Sequence, residues 1–263
     1  MPQLTIRATL LIIVAILNIF IAILVGIGVY KSLVNYQKAQ SLRAATSVLN
    51  DLYNANKYLS LSRATSLSVV YVDPKTEDAM QQYINKNRVA ADALLDKAFA
   101  KLHKDAGGTA ALKKVEEKYQ ILLEHRAKLD AALALPLNER DLTISDRFFE
   151  ASTGVIKELQ NFISIYSRPY RSIDAAVYRQ MTFKYYLWAL AEYTGQEYAT
   201  IGKMIAGNIM PTPEQQEKLL LLRGHIEYGW DIIRRYTVSD DMSKDLLPLM
   251  EEAHTHYSIT FDE

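Results

Sequence analysis

The stretch LWALAEYTGQEYATIGKMIAGN, Leu187 to Asn208, decides how the chain is read. Its apolar residues recur at helical spacing, yet Gly195 and Gly202 stand where a helix prefers alanine. Each interior glycine costs on the order of 1 kcal/mol relative to alanine, so some contact must offset the loss. On a helical period, Ala191, Gly195, Ala199, Gly202 and Ala206 form one narrow close-packing seam with Trp188 at its upper end. Such a seam admits either a second helix or a small ligand close to the backbone, and small residues at this spacing more often serve helix packing. The nearby Tyr185, Tyr186, Trp188 and Tyr193 likewise suit core and rim better than a binding cage.

The same period runs outward in both directions. Helices are expected at Thr76 to His103, Thr109 to Leu135, Ser145 to Ser167, Ser172 to Ala206, Pro213 to Val238 and Ser239 to about Tyr257. Proline, glycine and acidic turn residues separate them in VDPKT, DAGGT, LPLNERD, SRPYRS, GNIMPTP and TVSDD. Period-two alternation with turn pairs is absent, so the expected fold class is all-α, with antiparallel helical bundles joined by short connections. Upstream, helical spacing continues from Tyr30 to Pro74 without proline or glycine, which predicts a long, stiff first helix.

That helix begins in ATLLIIVAILNIFIAILVGIGVY, Ala8 to Tyr30, which carries no charge. At 1.5 Å per residue it spans about 34 Å, enough to cross a hydrocarbon core of roughly 30 Å. A cleaved signal peptide has a shorter apolar region, about 7 to 15 residues, and a small-residue cleavage site, so the run is read as a transmembrane anchor over residues 1–30. Arg7 precedes it while Lys31, Lys38 and Arg43 follow, and positive-inside counting leaves the topology open. Residues 31–263 form the remaining all-helical domain.

Thirty basic and thirty acidic residues give zero formal net charge, which removes the electrostatic basis for nucleic acid as a partner. The absence of cysteine excludes disulfides and thiolate metal centres. His254 and His256, two apart on a helix, point to different faces, and His103, His125 and His225 have no partner at ligand spacing, so no metal or cofactor is expected. Nucleophile-elbow, phosphate-loop, dinucleotide-binding and zinc-protease motifs are all missing, so an enzyme is not expected.

Sliding the chain by 135 residues places Ala64 on Ala199, Thr65 on Thr200, Gln81 on Gln216, Arg88 on Arg223 and Asp96 on Asp231. The two copies, about 45–105 and 172–238, share a layout of helix, proline-containing break and helix. In an antiparallel hairpin Arg63 and Arg88 differ in height by only about 5 Å, while Tyr198 and Arg223 take the corresponding places in the second copy. An arginine fork suits a planar oxyanion, with Thr65 and Thr200 in support. The competing reading is an ordinary helix ion pair, since Asp92 follows Arg88 and Glu227 follows Arg223 by four residues.

The segments LSLSRATSLSVV and NKNRVAADALLDKAFAKL, taken with KYYLWALAEYTGQEYATIGKMIAGN and TPEQQEKLLLLRGHIEYGWDII, resemble the nitrate- and nitrite-sensing type of helical domain found at the front of bacterial methyl-accepting chemotaxis receptors. The likeness covers residues 45 to 235. It implies two side-by-side four-helix bundles, a homodimer, a small anion or small organic acid as ligand, and a periplasmic domain anchored in the inner (cytoplasmic) membrane. Arg63 matches the arginine of that family's first sensing helix, although Ser62 and Ala64 replace its usual glutamate and glycine neighbours. Tyr198 stands where many relatives carry a second arginine, which removes one anion donor. Relatives continue into a second membrane helix and a signalling module, so the expectation is a piece of a longer receptor or a truncated relative. The alternative is a non-sensing helical scaffold that oligomerises at the membrane.

Overall fold

A computed structural model describes residues 6–72, 74–106, 110–237 and 245–262. The described residues form seven α-helices and no strand: α1 (Ile6–Val69), α2 (Pro74–Ala106), α3 (Ala110–Leu133), α4 (Thr143–Ser167), α5 (Ala175–Gly207), α6 (Pro213–Thr237) and α7 (Leu246–Asp262). The expected all-α class is therefore observed. The chain divides into two compact units, Met1–Ser47 and Val48–Glu263.

The first unit carries the apolar run of α1, whose most apolar window has a mean hydropathy of 3.2 and is nowhere buried. The side chains from Leu10 to Val29 stand open on all sides of the helix. By length and composition this helix is able to cross a membrane.

Local chemistry sets ends of three helices in the second unit, α2, α5 and α6. Pro74 and Pro213 open α2 and α6, positions where a missing N–H forfeits no intrahelical bond. Asp174 caps α5 by accepting from the Ala176 and Val177 amides at 2.8 and 3.1 Å. Asn208 closes it in the left-handed conformation, φ 49° and ψ 47°. Helix α5 starts three residues later than the periodicity predicts because Arg168–Ser172 winds as a 3-10 turn around Pro169. Helix α7 is described from Leu246 and runs past Tyr257 to Asp262. The expected start at Ser239 lies outside the described residues. Pro248 sits in the first turn of α7, where the helix tolerates it.

Within the second unit, the part of α1 from Val48 packs with α2, α3 and α4 as a four-helix bundle. From Val48 onward α1 buries Leu49, Leu52, Leu59 and Val69, and α2 answers with Ile84, Ala91, Leu95 and Leu102. Asp51 is locked between Lys97 and Lys101 of α2 at 2.9 and 2.8 Å. Burial works to raise the Asp51 carboxyl, but hydrogen bonds from Lys101 and Lys97 outweigh it and hold the group below its ordinary range. Helices α2 and α3 run antiparallel: Arg88 meets Asp130, Asp92 meets Arg126, Phe99 meets Tyr119 and His103 meets Glu116.

A second core draws on α5, α6 and α7 through Phe183, Leu190, Ile226 and Ile233, with Trp230, Met250 and Tyr257 packed around them. The two cores join at a cluster of Leu67, Phe149 and Ala199. Here α1 and α5 run parallel, pairing Asn50 with Lys184, Ser60 with Glu192 and Ser68 with Gly202. The separations of 134 residues for the first pair and 132 for the second approach the 135-residue shift of the sequence repeat, so the two helices it superposes lie side by side.

Candidate functional site

The α5 seam faces α1. A Cβ placed on Gly195 would lie 3.9 Å from the Arg63 guanidinium, and one on Gly202 would lie 3.2 Å from the Ser68 hydroxyl. Ala199, between them, is buried against Leu67 and Phe149. Side chains are missing from this stretch because another helix and its arginine lie against the backbone. At the ends of the seam Ala191 is exposed and Ala206 is half-buried.

Arg63 is fully buried and its fork is filled from within the chain. Nη1 donates to Glu192 Oε1 at 2.6 Å and Nη2 to Oε2 at 3.0 Å, while Nη1 also reaches Thr153 Oγ1 at 3.0 Å. Ser60 Oγ and Gln196 Nε2 donate to the same carboxylate at 2.9 and 2.6 Å. The Phe149 ring covers the guanidinium at 4.9 Å. This is bidentate carboxylate recognition in a dry site, the arrangement for which arginine is best suited.

Arg88 lies at the same level of the bundle, over the Phe148 ring at 5.5 Å, where Arg63 lies over the next ring along α4. The two guanidinium groups bond to different carboxylates, Arg88 Nη1 taking Asp130 at 2.7 Å. The Nε and Nη2 of Arg88 are shut off from solvent without a hydrogen-bond partner. The Ser62 and Ser66 hydroxyls of α1 are equally buried and unpartnered. The Asp51 pairing with Lys97 and Lys101, continued along the α1–α2 hairpin, brings Ser62 level with Arg88.

In the second core, Arg223 Nε donates to the buried Glu197 at 3.0 Å, and Tyr257 Oη donates to the same carboxylate at 2.7 Å. Tyr198 points outward and is 60% exposed. Thr65 and Thr200 turn their hydroxyls onto carbonyls of their own helices, Leu61 at 3.2 Å and Gln196 at 2.8 Å. The i,i+4 pairs expected from spacing give way to cross-helix partners: Arg88 takes Asp130, Arg223 takes Glu197, and Asp92 takes Arg126 and Tyr119. Burial, followed by the Asp92 carboxylate to which it donates, pushes the Tyr119 phenol well above its ordinary range.

Glu192 and Glu197 are functional candidates that helical periodicity does not single out. A signal for Glu192 is nonetheless present, since it lies three residues before Gly195 on the seam itself. A carboxylate on a stripe of small residues marks a cation arriving from the facing helix. Among the histidines, His225 stacks on Tyr193 at 4.5 Å and His254 meets Trp230 edge-on at 5.0 Å. No group of three metal-ligating side chains occurs among the described residues. Comparison with protein-family models, curated proteins and solved structures returned no match.

Proposed function

We propose that this chain is the ligand-sensing region of a membrane-anchored, chemoreceptor-like signal transducer. Its apolar helix holds it in the bacterial cytoplasmic membrane, and its helical unit works on the periplasmic side as a homodimer. The ligand is a small oxyanion, nitrate, nitrite or a short carboxylate, held inside the α1–α4 bundle.

Arg88 carries this reading. A buried guanidinium with two nitrogens lacking acceptors, level with the buried Ser62 hydroxyl that also lacks a partner, is costly unless something outside the chain completes it. An oxyanion supplies acceptors to all of these donors at once. Arg63 holds Glu192 and acts as the support that ties α1 to α5. Anion entry at Arg88 repacks α2 against α1, and α1 carries that change toward the membrane. The scaffold reading has its own observation in support: the Arg63 fork is already filled and the seam is already closed.

Thermal unfolding and calorimetry of the full chain in detergent, with nitrate, nitrite and acetate against a chloride control, separate the two. A sensor gains about 2.7 kcal/mol at roughly one hundred times Kd, and Arg88→Lys, which keeps the charge but loses the fork, abolishes the gain. Responses equal to chloride at millimolar anion leave the helices as a scaffold.

A further inference from the structure

From Leu10 to Val29, α1 contains a single strongly polar side chain, Asn18. It lies one residue from Ile19, the middle of the uncharged run Ala8 to Tyr30, so in a membrane crossed by that run it stands within about 1.5 Å of the midplane. Asn18 is exposed, and no part of the apolar window is buried. Hydrocarbon offers its carboxamide neither donor nor acceptor, whereas a facing helix can supply both.

The chemistry of the carboxamide selects the occupant. It carries donors on nitrogen and an acceptor on oxygen, so the group that satisfies it reciprocally is another carboxamide at the same depth. Two copies of α1 inserted in the same sense bring Asn18 level with Asn18. A partner of different sequence needs a polar group at matching depth; a second copy has one by construction.

The residues around Asn18 fit such a pair. Leu11, Ala15, Asn18, Ala22, Val25 and Val29 recur at alternating steps of four and three, the seam of a left-handed helix pair. Ala15 and Ala22 flank Asn18 on that seam, so two backbones can come close enough for the amides to meet. Gly26 borders the seam, and a Cβ placed on it would meet nothing within 4 Å, so no contact inside the chain calls for its small size. The opposite face carries Ile13, Leu17, Phe20 and Leu24, which are bulky, without a polar atom and suited to lipid.

Given the membrane-anchored reading of α1, we infer that its apolar run is a docking surface for a second copy of this chain. The two α1 helices pack in parallel along the Leu11–Val29 seam, and the paired Asn18 side chains exchange amide hydrogen bonds across it.

The chain has no cysteine, so single cysteine substitutions in the full chain report one position each. In native membranes treated with copper phenanthroline, Ala15→Cys and Ala22→Cys are expected to form covalent dimers and Leu17→Cys and Leu24→Cys to remain monomeric. Energy transfer between copies labelled at Lys31→Cys in phosphatidylcholine vesicles gives the dissociation constant. Asn18→Leu is expected to raise it about five- to thirty-fold, and Asn18→Gln, which keeps a carboxamide, to restore much of the loss. Equal crosslinking on both faces, adducts with other proteins only, or a parental dissociation constant in Asn18→Leu overturns the contact while the chain stays in the membrane pellet. Release of the chain by alkaline carbonate overturns the anchor reading and the contact with it.

Discussion

Replacing Glu192 by methionine leaves the Arg63 guanidinium inside the protein with Thr153 as its remaining hydrogen-bond partner. Arg63 is 0% exposed and Glu192 5%, so water cannot take the place of the lost carboxylate. Breaking a buried pair by removing one partner costs about 3–5 kcal/mol, because the surviving charge keeps its desolvation penalty without compensation. For a chain of this size each kcal/mol moves Tm by roughly 2–4 °C, so a fall of about 6–20 °C is expected. Arg63→Met is expected to cost a similar amount, since it strands Glu192 with only Ser60 and Gln196 as donors. The double variant behaves differently. With both charges gone, two methionines pack beside Phe149 and Gly195, and stability returns to within about 1–2 kcal/mol of the parent. Reversible denaturant unfolding followed by helical circular dichroism gives all four corners of the cycle. Additive losses in the double variant, or a loss below about 1 kcal/mol for Glu192→Met, would refute the claim that these two residues form one closed, dry unit.

Other substitutions probe the seam, the α1–α2 hairpin and the apolar run. Gly195→Ala is expected to stabilise by up to about 1 kcal/mol, because a methyl group there meets Arg63 at an ordinary 3.9 Å while helix propensity improves. Gly207→Ala is expected to destabilise, because its Cβ would fall 2.6 Å from Ile209 and 3.0 Å from Tyr71; thermal melts of the two variants should move in opposite directions. Asp51 is held below its ordinary range, so its contribution to stability is complete above a carboxylate pKa near ~4 and is lost as pH falls through the lowered folded-state value. Asp51→Asn should therefore flatten the acid limb of a stability-versus-pH profile, and an unchanged limb would remove Lys97 and Lys101 as the cause. Leu17→Asp with Ile21→Asp places two carboxylates mid-run at about 2.5–3.5 kcal/mol each, and membrane sedimentation should show the chain leaving the membrane fraction.

The helices were legible from one-dimensional rules. The period of about 3.6 residues, the proline that opens α6, and the Gly207–Asn208 stop act within a few residues of themselves, so no knowledge of the fold was needed to place them, although α2 starts at Pro74, two residues before the expected Thr76. The apolar run of α1 is equally self-sufficient, because its length and lack of charge are properties of the segment alone.

Which side chains meet was decided by the tertiary structure. Spacing offered Arg88 the carboxylate of Asp92 and offered Arg223 that of Glu227, both reachable on one helix, yet packing supplied Asp130 and Glu197 from neighbouring helices. Arg63 had no carboxylate at helical spacing, and its partner lies 129 residues away on a parallel helix. A helix fixes the direction of its own side chains, but the register and sense in which two helices pack depend on all the contacts between them. The seam of Gly195 and Gly202 therefore announced a close approach from sequence, while only the fold could say that α1 makes it and that Glu192 on the same stripe receives the arginine.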